Sequence, residues 1–279
     1  MFGILGILIV FGAVIGGYLL ESGNLRVLMQ PAELMIIGGA ATGTLLVANP
    51  PTVLSGIVNG FKSVFGASKF TKSLYLNTLK QMYLVMNKAR KDGLVGIEAD
   101  VEEPAKSELF SKWDGHVRDF VCDTLRMAMA GGPTPFELDQ MMELDMEVHH
   151  QTALKPAAAL TTVADSLPGL GIVAAVLGVV ITMGALGGPP EEIGHKVGAA
   201  LVGTFLGILL CYGLVGPMAA KMGSAADEEA QFYHVMRVAV SAFLKGTSPL
   251  LGIEFARRAI PGHVRPSFQE MEKACRGGS

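Results

Sequence analysis

The sequence has few charged residues for its length. Only 17% of its 279 residues are Asp, Glu, Lys or Arg, whereas a soluble domain contains about a quarter. Half of the residues are hydrophobic, and the mean hydropathy is +0.44. This composition excludes a disordered chain and argues against a soluble globule. It predicts a protein that is embedded in a membrane.

Basic patches, paired cysteines and enzyme motifs are also missing. The formal net charge is −3, so no overall positive field invites nucleic acid. Cys122, Cys211 and Cys275 are far apart, without the spacing of a disulfide framework or a zinc site, which suits a reducing compartment. The sequence contains no phosphate-binding loop, dinucleotide fingerprint or nucleophile elbow. It therefore predicts no enzyme, no cofactor and no metal site.

The apolar residues are concentrated in four uncharged runs, each of which predicts a membrane-spanning helix. The runs are Phe2 to Leu20, Leu34 to Ala48, Ser166 to Pro190 and Val197 to Ala220. No basic residue precedes the first run, which favours a retained span over a cleaved signal. The second run is short for a span, so its helix either tilts or continues past Pro50 and Pro51. Residues 21–33 are expected to form a short loop.

Lysine and arginine near the ends of the runs predict the orientation in the membrane. Six of these residues flank the long middle segment and the tail, and two lie in the short loops. The six are Lys62, Lys69, Lys72, Lys155, Lys221 and Arg237, and the two are Arg26 and Lys196. Because positive flanks stay inside, we expect the middle segment, the tail and both termini to be cytoplasmic.

The middle segment, about residues 61–160, has a different composition. It contains 12 Lys or Arg and 14 Asp or Glu, over half of each charged total. Its patterns are helical: one helix is predicted over Val117 to Met129, and a capping box at Thr134–Glu137 opens another that closes before Pro156. In the tail, Ser224 is predicted to cap a helix that runs to about Leu244, with the acids 227–229 in its first turn.

These observations predict an all-α membrane protein with four transmembrane helices and a helical cytoplasmic domain. The expected divisions are residues 1–60 for the first two spans, 61–160 for the cytoplasmic loop, 161–220 for the last two spans and 221–279 for the tail. His149 and His150, one turn after Asp145, are interpreted as a solvated charged face rather than a metal site.

The spans hold few titratable groups, although ion carriers usually keep one near the membrane midplane. Asp165 is the acid close to the cytoplasmic end of a span, where it serves as a helix cap, as an interfacial carboxylate or as part of an ion path. Thr204 either bonds a carbonyl one turn back or contacts the ion. If the chain moves ions, a partner must supply the midplane carboxylate.

Small residues and prolines mark the spans. The glycine pairs 12/16, 39/43 and 203/207 are each four residues apart, which lets helices pack closely, within the chain or between subunits. Pro168 begins the third predicted span and Pro217 ends the fourth. Each is either a tolerated kink or a bend that couples the membrane to the cytoplasmic domain.

Taken together, these residues resemble the flagellar motor stator family MotA, over nearly the whole chain. The stretches that carry the resemblance are Pro168 to Gly178, Gly203 to Gly207 leading to Gly216 and Pro217, Gln30 to Leu34 with Ile36 to Gly39, and Arg90 to Gly93 followed by Glu98. Their order along the chain is that of the family. The resemblance implies a multi-pass protein of the bacterial inner membrane.

The resemblance also implies partners and residue roles. Five copies are expected to surround two copies of MotB, a single-span, peptidoglycan-binding subunit that supplies a membrane aspartate. Arg90 and Glu98, otherwise read as solvated surface, would contact the rotor switch protein FliG. Pro168 and Pro217 match the coupling prolines, and Asp165 matches an acid near the inner end of the channel.

The transported ion is predicted to be H⁺. The sodium-driven relatives that this chain resembles carry a threonine in the third span facing the threonine of the fourth. Here Thr204 is kept, but Ala175 occupies the third-span position, and a methyl group cannot coordinate a cation. Three alternatives stay open: a sodium-driven stator, an energy transducer like ExbB or TolQ, which has three spans, and a scaffold that conducts nothing.

Overall fold

The computed structural model describes residues 2–184, 187 and 189–277, and within them the chain is helical without any β-strand. The α-helices are α1 (Phe2–Leu20), α2 (Leu25–Leu28), α3 (Pro31–Ala48), α4 (Pro51–Phe65), α5 (Lys72–Asp92), α6 (Glu98–Glu102), α7 (Gly115–Ala130), α8 (Pro135–Met183), α9 (Pro190–Leu210), α10 (Gly216–Leu244), α11 (Pro249–Ala259) and α12 (Phe268–Arg276). The all-helical prediction is confirmed.

Four helical stretches are long and apolar enough to cross a membrane. They are Gly3–Leu20, Leu25–Ala48 and stretches of Pro135–Met183 and Pro190–Leu244. The first matches its predicted run. The second ends at Ala48, and a new helix begins at Pro51, so the alternative that the second helix continues past the prolines is wrong. A proline at the first helical position starts a helix because its missing N–H has no partner there in any case.

The helix that opens at the predicted capping box does not close before Pro156. The box is present, since the Thr134 hydroxyl accepts from the Glu137 amide at 3.3 Å and Glu137 Oε2 accepts from the Thr134 amide at 2.7 Å. The helix then continues through Pro156 to Met183. A Cβ on Gly56 of α4 would lie 2.5 Å from Pro156 Cγ, so the proline ring occupies space that this glycine leaves open.

Two expectations about the fourth span and the tail are also wrong. Pro217 does not end a helix, because a π-helical turn at Cys211–Val215 joins α9 to α10. In that turn the Gly216 amide donates to the Cys211 carbonyl. The wider turn lies immediately before Pro217, whose ring would clash with an ordinary helical turn. Ser224 is not a cap, since α10 runs through it and its hydroxyl donates to the Ala220 carbonyl at 3.1 Å.

The chain divides into two compact units. The first comprises the residues up to Ala67 and Ala153–Ala225, and we call it the span unit because it holds the apolar runs. The second comprises Ser68–Thr152 and the residues from Ala226 onward, and we call it the loop–tail unit.

The loop–tail unit has its own hydrophobic core. Its fully buried side chains come mainly from α5, α7, α10 and α11, and include Tyr75, Leu79, Leu125, Met236 and Ile253. Charged pairs surround this core. The Arg257 guanidinium, together with Arg258, lowers the pKa of Glu254 to about 2, because hydrogen bonds of 2.7–2.8 Å favour the ionised carboxylate.

Candidate functional site: a glycine crossing in the span unit

Helices α8 and α9 cross at a distance that only glycine permits. A Cβ on Gly171 would lie 2.6 Å from the Gly203 carbonyl oxygen, and a Cβ on Gly207 would lie 2.5 Å from the Leu167 carbonyl oxygen. Both contacts are with backbone, which cannot rotate away as a side chain can. The two helices therefore touch main chain to main chain, as small residues allow in membrane proteins.

Thr204 and Ala175 both lie at this crossing. The ideal Cβ position of Gly171 is 3.3 Å from Thr204 Cα, and that of Gly203 is 3.1 Å from the Ala175 amide nitrogen. Both residues are partly exposed. The structure thus brings to one crossing two of the three residues that were predicted for the ion path, Thr204 and Ala175, whereas Asp165 lies further along α8.

The Thr204 hydroxyl has no hydrogen-bond partner among the residues that the structure describes. Several other threonine and serine hydroxyls in the span unit donate to a carbonyl three or four residues back, as Thr42 does to Gly38 and Thr182 to Gly178, both at 2.8 Å. The alternative reading of Thr204, an intrahelical bond, is therefore wrong. Its hydroxyl is available to a group outside the chain.

Asp165 and Pro168 lie within α8 and not at its start. Asp165 is exposed, ten residues before Ala175, or about 15 Å along the helix axis. Because the helix runs through it, Asp165 is not a helix cap, whereas an interfacial carboxylate and part of an ion path both stay open. Pro168 is partly buried. Since proline has no N–H, the Ala164 carbonyl loses its usual helical partner one turn before the crossing. Pro217 is exposed near the start of α10.

The predicted glycine pairs differ in their surroundings. Gly203 and Gly207 pack against α8, which confirms intrachain packing for that pair. A Cβ on Gly12, Gly16, Gly39 or Gly43 would meet no atom within 4 Å. These two pairs leave helix surface open to lipid or to another chain.

Sequence reasoning missed the buried acid of the span unit, Glu33. The sequence predicts a loop over residues 21–33, but the helix α3 begins at Pro31, so Glu33 lies in its first turn. Its side chain is only 7% exposed, and its Oε2 atom has no hydrogen-bond partner. The sequence feature that indicates the position of Glu33 is Pro31. Proline favours the first position of a helix, so Glu33 is expected at the third position.

Arg90 and Glu98 lie in the loop–tail unit on either side of a turn. Arg90 is in the last turn of α5, and Glu98 is the first residue of α6. Gly93, with φ +73°, ends α5, and a 3₁₀ turn at Leu94–Ile97 follows. Both charged side chains are exposed, and neither makes an ion pair with any described residue.

His149 and His150 are half-buried, and each faces an acid of the tail. His149 Nε2 lies 3.2 Å from Glu229 Oε1, and His150 Nε2 lies 3.5 Å from Asp227 Oδ1. The acids are inside α10, so the prediction that they cap its first turn is wrong. Within the described part of the chain, no group of three or more potential ligands could hold a metal ion.

Comparison with known proteins decides the family. Two family models match: "Motility protein A N-terminal" over residues 4–93 and "MotA/TolQ/ExbB proton channel family" over residues 112–234. Motility protein A of Salmonella typhimurium strain LT2 is 38% identical over 278 residues, which cover 98% of this chain and 94% of that protein. The chain belongs to the motility protein A family.

Solved structures agree with this assignment at the level of the fold. The MotAB structure from C. jejuni has a TM-score of 0.78 at 20% identity, over 95% of this chain and 98% of that one. The MotAB stator complex from Bacillus subtilis has a TM-score of 0.75 at 24% identity, over 96% and 97%. Both likenesses extend over nearly the full length.

Membership confirms the resemblance seen in the sequence. A motility protein A is an ion-channel subunit of the flagellar stator, and the chain has this function. The channel family model also includes the TolQ and ExbB transducers. The match of the N-terminal model and the identity to motility proteins over the whole length favour the stator over the transducer.

Proposed function

We propose that this motility protein A conducts protons together with a MotB-like single-span subunit and turns their flow into torque on the rotor. The observation that carries the proposal is the glycine crossing. Backbone atoms of Thr204 and of Ala175 both lie at this crossing, both residues are partly exposed, and the Thr204 hydroxyl has no partner among the described residues. A helix from a partner can supply the group that this hydroxyl meets.

The span unit is proposed to cross the bacterial inner membrane four times, with the loop–tail unit and both termini in the cytoplasm. The four apolar stretches support this layout. So does the distribution of basic residues, six of which flank the middle segment and the tail, whereas two lie in the short loops. The loop–tail unit has a polar surface of paired charges, which suits water.

Five copies are proposed to form a ring around two MotB-like helices. The first helix supports a ring, because none of its span window is buried within one chain. Leu8 and Ile9 are 63% and 60% exposed, so lipid or a neighbouring copy must cover them. The open pairs 12/16 and 39/43 provide surfaces where neighbouring helices can approach closely.

Each proton is proposed to enter from outside, neutralise the partner's aspartate beside Thr204 and Ala175, and leave past Asp165. Neutralising a buried charge changes which helix packing is preferred, so the ring steps around the partner. Each crossing supplies about 2.3 kcal/mol per 100 mV of membrane potential. Pro168 and Pro217 lie where a helix can bend during such a step.

The step is proposed to carry Arg90 and Glu98 against the rotor switch protein FliG. Both charges are exposed and unpaired within the described chain, as a charged docking surface requires. The chain acts in this scheme as a channel and a motor part, with no enzymatic reaction and no cofactor.

Proton coupling is preferred to sodium coupling because the side chains of Thr204 and Ala175 together offer only one oxygen. Sodium needs several, and Ala175 contributes only a methyl group next to Thr204. We expect cells with this stator alone to swim equally fast in medium containing sodium and in medium where potassium replaces it at the same ionic strength. Swimming speed, measured by tracking single cells, tests this. Loss of swimming without sodium, restored by its addition, would overturn proton coupling.

A further inference from the structure

The one buried acid described in the span unit lies beside the glycine crossing. Glu33 reaches from α3 towards α8 and α9. An ideal Cβ on Gly203 would be 2.7 Å from Glu33 Oε2, and one on Gly178 would be 3.5 Å from Oε1. The carboxyl group therefore occupies the space that side chains at Gly178 and Gly203 would otherwise fill.

Helix capping does not explain this acid. A glutamate at the third helical position commonly reaches back to the amide of the capping residue. Glu33 makes no hydrogen bond to Gln30 or to any other described residue, and its Oε2 atom is buried without a partner. A buried acceptor with no partner is costly and normally has a reason to persist.

Among the described residues, no charged side chain forms an ion pair or a hydrogen bond with the Glu33 carboxyl group. The contacting positions are Gly178 on α8 and Gly203 on α9, and Ala200 lies against Gly178. His195 and Lys196 are seven or more residues before Gly203, and Lys196 is paired with Glu192 at 2.8 Å. On the neighbouring α2, Arg26 is exposed. An unpaired charge is disfavoured in such surroundings, so Glu33 is readily protonated.

The position of Glu33 relates it to the ion path. Gly203 directly precedes Thr204, and Gly178 is three residues beyond Ala175, about 4.5 Å along α8. In the proposed topology this direction leads to the outside, where α8 ends and α9 begins. The carboxyl group thus lies at the level of the crossing and slightly towards the proton source.

We propose that Glu33 is a proton-binding residue of the conduction path, on the outer side of Thr204 and Ala175. The proposal rests on the function proposed above. The Glu33 carboxylate takes a proton from a hydronium ion on the outer side, which leaves a water molecule. The protonated Glu33 then gives a proton to a water molecule further inwards, which becomes a hydronium ion, or to the partner's carboxylate, which becomes neutral. One O–H bond breaks and one forms at each transfer, and Glu33 returns to the carboxylate.

The test uses the complete complex of this chain with its MotB-like partner, reconstituted in lipid vesicles. Proton entry is followed with an enclosed pH dye under an imposed membrane potential in sodium-free buffer. We expect Glu33→Gln, which keeps the shape and removes the acid, to lower proton flux at least about tenfold. Glu33→Asp should keep part of the flux and change its dependence on outer pH. Glu21→Gln, which removes an exposed acid from the adjoining loop, should conduct like the wild type.

Wild-type flux through the Glu33→Gln complex would overturn the assignment and leave proton coupling intact. A sodium-only current through the wild-type complex would instead overturn proton coupling, and this assignment with it. If Glu33→Gln prevents assembly, Glu33→Asp decides. An outer-pH profile identical to that of the wild type contradicts proton binding at Glu33, and a shifted profile supports it.

Discussion

Reversing the charges of Arg90 and Glu98 together, as Arg90→Glu with Glu98→Lys, is expected to abolish motor rotation while the stator still assembles in the membrane. Rotation is lost because like charges then face each other across the proposed rotor contact, at a cost of several kcal/mol. Assembly survives because both side chains are exposed and the turn between them is anchored by Ile97, which is fully buried.

Tethered-cell rotation and membrane-fraction immunoblots measure the two halves of this prediction. The matched control is the swap Glu103→Lys with Lys106→Glu. These residues form an exposed ion pair at 2.8 Å in the same unit, and the swap keeps both the pair and the net charge. The control should rotate normally. Normal rotation of the Arg90/Glu98 double variant would show that these residues do not contact the rotor.

The substitution Gly207→Ala is expected to disrupt the crossing of α8 and α9 and with it the channel. Its methyl group would lie 2.5 Å from the Leu167 carbonyl oxygen and 3.0 Å from Gly171 Cα. Because both are backbone atoms, the helices must separate. Overpacking of this kind costs about 1–3 kcal/mol. The shift also moves Thr204 and Ala175 apart. We therefore expect the ion flux to fall in addition to the unfolding temperature.

Thermal unfolding of the detergent-solubilised complex and ion flux in vesicles test this prediction. Gly198→Ala is the control on the same helix, since a Cβ there meets no atom within 4 Å. It should match the wild type in both measurements. A Gly207→Ala complex with unchanged unfolding temperature and unchanged flux would contradict the close crossing.

The sequence allowed some elements to be predicted closely because local physics decides them. The first span, Phe2–Leu20, is set by an uninterrupted apolar run, and the start of α8 is set by the Thr134–Glu137 capping box. Both signals lie within the segment that they shape.

Elements that depend on distant residues could not be predicted in the same way. Pro156 is a helix breaker locally, but Gly56 from another helix makes room for its ring. The acids of the tail look like a helix start, but α10 already runs through them and His149 pairs with Glu229. In each case a tertiary contact outweighs the local preference.

The residues of the candidate site also differ in whether the sequence reveals them or whether they depend on distant contacts. Thr204, Ala175 and Asp165 were found from composition and from the family resemblance, and the first two do lie together. Glu33 was overlooked because an acid next to a loop looks solvated in sequence. Its burial depends on two glycines, Gly178 and Gly203, which are more than 140 residues away along the chain.

The central claim is that this chain forms a ring around an acidic partner helix at the crossing of α8 and α9. The measurement that tests it most directly is a density map of the complex purified with its MotB-like partner. The account predicts five copies around two single-span helices, with a partner carboxylate beside Thr204 and Ala175. A ring without a central helix, or a map in which Thr204 faces lipid, would contradict it.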